Sequence, residues 1–363
     1  MTDAAAATLL VPGTAPSERR WGKLLLALLA FLTAPYILWF RAFLPIENTA
    51  MLFVPALAAC CLVGWWAGGR MLLAIAWVGL AALLAWKGGG ASPADAFTNM
   101  ARGWSLLLAG SFGLVCLFGT SGAFLPRALS AIALALALSI LMSLVGPVRA
   151  IEAKKAVSEE LTRRNSETMS TLNVFISEHP KEWQDLVAKL PQVSTLPADT
   201  ERLLKELSTR GLLVFPALLA LESLAALALA WTTYHRLGRA RLGMPLGLLR
   251  DFRFNDQLVW GLIVGLTVLF LPTLVAMRGL GRNLLLFFGA LYAVRGLGVL
   301  FWLLSPGAFT VALAIGFAML MWPALQTMAV FGFMLLALAS FGLGLGDTWA
   351  DWRNRARPTT PTT

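Results

Sequence analysis

Apolar residues run along this chain in blocks close to the ~20 residues that a helix needs to cross roughly 30 Å of hydrocarbon. The blocks fall at about 24–43, 50–67, 71–86, 104–125, 128–148, 211–233, 257–277, 284–304, 307–322 and 325–345. They predict an all-α polytopic transmembrane helical bundle of about ten spans. Residues 307–345 carry no charge, and Pro323 interrupts them, so a tight hairpin fits better there than one long helix.

One polar stretch, about 149–210, divides the blocks five and five. Within it Val157, Leu161, Met169, Leu172 and Ile176 recur at helical spacing and form one narrow apolar stripe. Pro180, Pro191 and Pro197 then cut the remainder into short helical pieces. The chain is thereby expected to comprise an N-terminal tail (1–22), a first transmembrane bundle (23–148), a small helical extracytoplasmic insertion (149–210), a second bundle (211–346) and a C-terminal tail (347–363). Five spans on either side would set the halves in opposite orientations, as in inverted-repeat transporters, although no residue-level similarity joins them.

Charge fixes the expected orientation. Arg19, Arg20 and Lys23 place the N-terminus in the cytoplasm, and alternation puts the loop 234–256 on the same side. That loop holds Arg236, Arg239, Arg241, Arg250 and Arg253 against Asp251 and Asp256, and the tail holds Arg353, Arg355 and Arg357. Arg70 and Arg127 mark the short inner turns. The insertion, with ten basic residues matched by ten acidic ones, falls on the outer side. The protein is expected in a bacterial inner membrane with both termini cytoplasmic.

Composition agrees: 58% of the 363 residues are hydrophobic and 13% charged, beyond what a soluble domain could bury. The net charge of +10 sits at the ends of apolar blocks, so it reports topology and does not imply nucleic acid. Cys60, Cys61 and Cys116 lie inside apolar blocks and His179 and His235 stand far apart, a pattern that predicts neither disulfides nor a metal site. No P-loop is present, so an ATP-driven role would need a separate ATPase subunit, and no cofactor is expected.

Two ionisable residues interrupt the spans, Glu222 in 211–233 and Arg295 in 284–304. Each would cost roughly 2.5–3.5 kcal/mol at the bilayer centre if it faced lipid, so both should face inward. They are expected to form either a polar midplane site that recognises a charged or zwitterionic solute or carries protons, or a structural ion pair with each other, unless backbone carbonyls, hydroxyls or trapped water satisfy them. Gly110, Ser111, Gly113, Gly119, Thr120, Ser121 and Gly122 in the fourth block suit close helix packing. Ala30 and Ala34 form a small-xxx-small helix-docking pattern. Trp65, Trp66, Trp86, Trp104, Trp231 and Tyr234 read as an interfacial aromatic belt. Gly342, Gly344, Gly346 and Asp347 imitate a nucleotide loop but lack the preceding strand, and read as a flexible helix end.

The segments Gly281-Arg282-Asn283-Leu284-Leu285 and Leu291-Tyr292-Ala293-Val294-Arg295-Gly296-Leu297 carry a resemblance, together with Leu249-Arg250-Asp251-Phe252-Arg253 and Gly346-Asp347-Thr348-Trp349-Ala350-Asp351-Trp352-Arg353. Over roughly 205–355 the chain resembles the YybS-like family of bacterial membrane proteins of unknown function. The resemblance marks Asn283, Tyr292, Gly296, Asp347, Asp351 and Arg353 as family-motif positions, and implies a glutamine where this chain has Arg295. That family is distantly similar to substrate-binding components of energy-coupling-factor transporters and to the cell-shape scaffold MreD. The resemblance therefore implies either solute capture, with other membrane subunits as partners, or scaffolding.

Three functions follow in order. The first is a transport-associated solute-binding or permease subunit, and the second a noncatalytic envelope scaffold. A membrane enzyme comes last, since no catalytic cluster is visible. A binding subunit should show a cavity reaching Glu222 or Arg295, and a scaffold a filled bundle with an exposed groove or flat apolar face.

Overall fold

The computed structural model describes residues 21–36, 41, 44–87, 96–118, 122–145, 150–189, 191–238, 240, 242–304, 306–321 and 326–351. Among these the protein is predominantly helical, and no strand occurs. Each apolar block contributes a helix. In chain order these are α1 (Trp21–Thr33), α2 (Ala50–Trp66), α3 (Met71–Lys87), α4 (Ala96–Phe118) and α5 (Phe124–Val145). The polar stretch forms α6 (Ala150–Glu178) and α7 (Pro180–Lys189), and α8 (Leu196–Leu237) leads out of it. The chain closes with α9 (Val259–Phe270), α10 (Arg278–Leu303), α11 (Pro306–Met321) and α12 (Gln326–Ala350).

Among the described residues five stretches are long and apolar enough to cross a membrane: 96–118, 124–145, 208–237, 272–303 and 331–350. Shorter apolar helices cover 21–36, 50–66, 71–86 and 256–270. A 17-residue helix such as α2 rises only about 26 Å, a little less than the hydrocarbon thickness. The block 257–277 is not one helix. Leu271 adopts extended angles (φ −71°, ψ 120°) ahead of Pro272, and 272–277 winds as a 3₁₀ turn, because a proline disfavours the α conformation in the residue before it.

Two compact units emerge, residues 1–204 with 222–246, and 205–221 with 247–363. The expected boundary at 210 does not end a helix, since α8 (42 residues) runs across it and contributes to both units. The stripe expected on α6 holds: Val157 is buried and Leu161, Met169, Leu172 and Ile176 are half-buried.

In the first unit α2 is hydrophobic on every side, and residues from Leu52 to Gly64 are largely enclosed, as expected of a helix surrounded by others. It packs on α3 and α4. The second half of α8 supplies Trp231 and Tyr234, both fully enclosed. Phe112 and Phe124 meet the Trp231 ring at centroid distances of 6.0 and 5.8 Å. Trp104, Trp231 and Tyr234 are thus core residues and not an interfacial belt, whereas Trp65, Trp66 and Trp86 are exposed. Arg127 is also buried: it donates to the Leu242 carbonyl and lies 5.6 Å from the Trp231 ring centre.

The second unit is organised by α10, which packs on α9 and α12. Its crossing with α12 has no room for side chains. A Cβ on Gly296 would overlap the Ser340 carbonyl, and one on Gly344 the Tyr292 carbonyl. Gly344 is therefore a contact residue within a continuous helix that runs to Ala350, not part of a flexible end. Asp351 follows in the left-handed conformation (φ 43°), a common way to stop a helix. Replacing Gly296 or Gly344 by alanine should force the backbones apart and cost about 1–3 kcal/mol. Gly342→Ala, which meets nothing within 4 Å, should leave thermal unfolding in detergent unchanged.

Candidate functional site

Arg295 lies roughly two-thirds of the way along α10, about 12 Å from its last residue at 1.5 Å per residue. It is 3% exposed. Its Nε meets Asp347 Oδ2 at 3.0 Å, its Nη2 donates to the Asp347 carbonyl at 3.3 Å, and its Nη1 meets Asp256 Oδ1 at 2.7 Å. The Phe254 ring covers the guanidinium at 5.2 Å. Asp256 precedes α9 and Asp347 sits in the last turn of α12, so the arginine is tied to helix ends and not to the middle of a span. Asp347, expected to begin the tail, is instead fully buried. A second pair, Arg253 with Asp351 at 2.9 Å, joins the segment before α9 to the stop of α12.

Asn283 has a different role. Pro216 sits inside α8 and cannot donate to the preceding turn. Beside it, the Ala217 N–H donates to Asn283 Oδ1 at 2.8 Å, and Asn283 Nδ2 donates to the Leu213 carbonyl at 2.9 Å. In an uninterrupted helix these two backbone groups would bond to each other. The carboxamide is thus spliced into the gap, and both groups are satisfied without water.

In the first unit Glu222 is 5% exposed. Its Oε2 accepts from the Ile46 N–H at 3.0 Å, and its Oε1 has no hydrogen-bond partner among the described residues. The segment it grips, 44–49, leads into α2 and is held by Arg164 as well. Arg164 donates to the carbonyls of Leu44 (2.8 Å) and Pro45 (3.0 Å). It also pairs with Glu160 at 2.9 Å and Glu47 at 3.2 Å, under the Phe97 ring at 5.3 Å. Arg41 pairs with Glu47 and with Glu167, and Arg163 with Glu160 and Glu167. Three arginines and three glutamates thereby fasten α6 to the 41–49 segment. Next to Glu222, Ser223 accepts from the Trp104 indole at 2.9 Å.

Of the two charges that sequence singles out, Glu222 is met by a backbone N–H and Arg295 by two carboxylates, each within its own unit. Of the family-motif positions, Tyr292 is fully buried with its ring edge on Phe254 at 5.0 Å, and Gly296, Asn283, Asp347 and Asp351 act as described. Arg353 lies outside the described residues, as do Arg19, Arg20, Arg239, Arg241, Arg355, Arg357, Pro323, Gly119, Thr120 and Ser121. Ala30 is exposed and Ala34 half-buried, the latter in a 3₁₀ turn after α1. In the fourth block Gly113 faces Ala59 of α2, as packing requires, while Gly110 meets nothing. Sequence reasoning misses Arg164, Asp256 and Pro216, although a proline inside an apolar block is a usable signal for the last. No group of three His, Cys, Asp or Glu among the described residues could hold a metal ion.

Long apolar helices, with buried charges and backbone gaps satisfied internally, define a polytopic α-helical membrane protein. The family described as "Predicted membrane protein (DUF2232)" matches residues 69–335, and the chain belongs to this family of membrane proteins of unknown function. No curated protein and no solved structure matches it.

The ion cluster on α6 confers a pH dependence. Burial opposes the charge on Glu160, but hydrogen bonds from Arg163 and Arg164 outweigh it and its pKa is lowered. The hydrogen bond from Arg41 lowers that of Glu167. A carboxylate depressed in the folded state stabilises above the unfolded value, about 4.3, and this is lost as pH falls through the folded value. Melting temperature should therefore hold above about pH 5 and fall below about pH 4. Glu160→Gln should flatten that fall.

The splice at Pro216 makes a separate prediction. Asn283→Ala should cost about 1–3 kcal/mol by stranding two backbone groups. In a Pro216→Ala background the helix can close its own hydrogen bonds, so the same change should cost clearly less, measured as a double-mutant cycle in reversible unfolding.

Proposed function

We propose that the protein is a noncatalytic scaffold of the bacterial inner membrane, with both termini in the cytoplasm. One observation carries this reading: all three nitrogens of Arg295, the charge best placed to recognise a solute, are engaged by Asp256 and Asp347. The glycine crossing of α10 and α12 fills the space beside it. A tight helix crossing whose buried arginine is spent on locking helices suits a protein that holds its shape and presents surfaces. The resemblance to YybS-like proteins is consistent with this reading through MreD, and equally with solute capture.

A second reading, a solute-binding subunit of a transporter, draws on Glu222. Its Oε1 lacks a partner among the described residues, and an ionisable group inside a span marks a site by default. Ala30 is exposed, as docking onto a partner helix would require. In that case the other membrane subunits, including a separate ATPase, would supply the energy.

A thermal-shift screen of the purified protein against vitamins, amino acids and nucleobases separates the two. On the scaffold reading no soluble compound raises the melting point, and Arg295→Gln costs about 3–5 kcal/mol by removing the guanidinium that faces the buried Asp347 carboxylate. Adding Asp347→Asn should recover part of that loss. A compound that adds roughly 2.7 kcal/mol at 100 times its dissociation constant, with no effect on Glu222→Gln, would overturn the scaffold in favour of the transporter.

A further inference from the structure

The first unit contains a groove of about 1100 Å³ that the Glu222 and Arg295 arrangements do not use. It lies between the end of α1, the 47–50 segment and the second half of α6. Its apolar walls are Leu32, Pro35 and Tyr36 on one side and Leu172 and Phe175 on the other. Tyr36 is 88% exposed and Phe175 51%, so neither ring is packed into the core. The apolar end continues onto the outward face of α1, where Leu25, Leu26 and Leu29 are all more than half exposed. On a membrane protein such a face meets acyl chains.

The other end is polar and holds both signs of charge. Arg41 and Glu47 line it in contact with each other, with Asn48 beside them and Thr168 and Thr171 across from them. Arg41 also reaches Glu167. Arg41 and Glu47 belong to a cluster of three arginines and three glutamates, so no net field selects a bare anion or cation. A guanidinium beside carboxylates offers instead a donor for phosphate and, within the same contact, acceptors for an ammonium group. An apolar trough opening to acyl chains and ending in paired opposite charges is complementary to an amphipath whose headgroup carries both signs.

We propose that this groove binds one zwitterionic phospholipid. Its phosphate lies at Arg41 and Asn48, its ammonium at Glu47, and an acyl chain between Tyr36 and Phe175. Glu222 and Arg164 act as positioning residues, since they hold from behind the segment that carries Glu47 and Asn48. The site stands independently of the scaffold reading, because a structural protein and a transport subunit could each carry it.

The test is native mass spectrometry of the full chain, delipidated in detergent and titrated with phosphatidylethanolamine or phosphatidylglycerol of identical acyl chains. One phosphatidylethanolamine should bind per chain, at least tenfold more tightly than phosphatidylglycerol. Thr171→Trp, at an exposed position, should fill the groove and weaken that binding at least tenfold without changing the melting temperature. Phe175→Ala serves as a second probe that cannot overpack, and should weaken binding as well. Equal retention of the two lipids, a preference for the anionic one, or unchanged binding in both folded variants would show annular lipid only and overturn the proposal.

Discussion

In hydrocarbon no water is at hand to repair a polar group that loses its partner, and this constraint accounts for most of the contacts described above. Each irregularity in the helices is closed by a group of the protein itself. Asn283 completes the turn that Pro216 opens, and Glu222 takes the Ile46 N–H ahead of α2. Arg164 takes the two carbonyls before it. None of these needs catalysis to explain its presence, although all are the residue types that catalysis uses. Polar residues inside a span are expensive wherever they fall, and here the cost is met by keeping broken backbone closed.

The same constraint explains why the two units use their charges differently. In the second unit Arg295 faces two carboxylates, one of them fully enclosed, and the close glycine crossing leaves no space around them. In the first unit six charged side chains share partners at the edge of the bundle, where α6 remains partly solvated. The former is a lock, sensitive to loss of either partner. The latter is a clasp whose strength follows pH, because hydrogen bonds from the arginines hold Glu160 and Glu167 below the usual carboxylate range.

How far the sequence discloses this depends on whether a signal is periodic or paired. Apolar blocks and the stripe on α6 are periodic, and their helices follow directly. The inward-facing character of Glu222 and Arg295 is equally legible, because a charge inside an apolar block has nowhere else to go. Their partners are not. Asp347 sits where the charge pattern resumes and reads as the start of a tail, Asp256 reads as part of a loop, and the Ile46 N–H is backbone and leaves no trace in composition. Trp104, Trp231 and Tyr234 fall at block ends and imitate an interfacial belt, yet Gly64 makes room for the Tyr234 ring in the core. The run of α8 across 210 is hidden for a similar reason: the polar residues before 211 hide a helix that simply continues.

The arginine lock also imposes an order of synthesis. Asp256 precedes Arg295 by 39 residues, whereas Asp347 follows it by 52. At about 5–20 residues per second, α10 enters the bilayer several seconds before its enclosed partner has been made. During that interval Asp256, already present at the entrance to α9, is the one of the two carboxylate partners that has been made. The partly exposed carboxylate of the trio is thus on hand when the arginine is made, and the enclosed one arrives last.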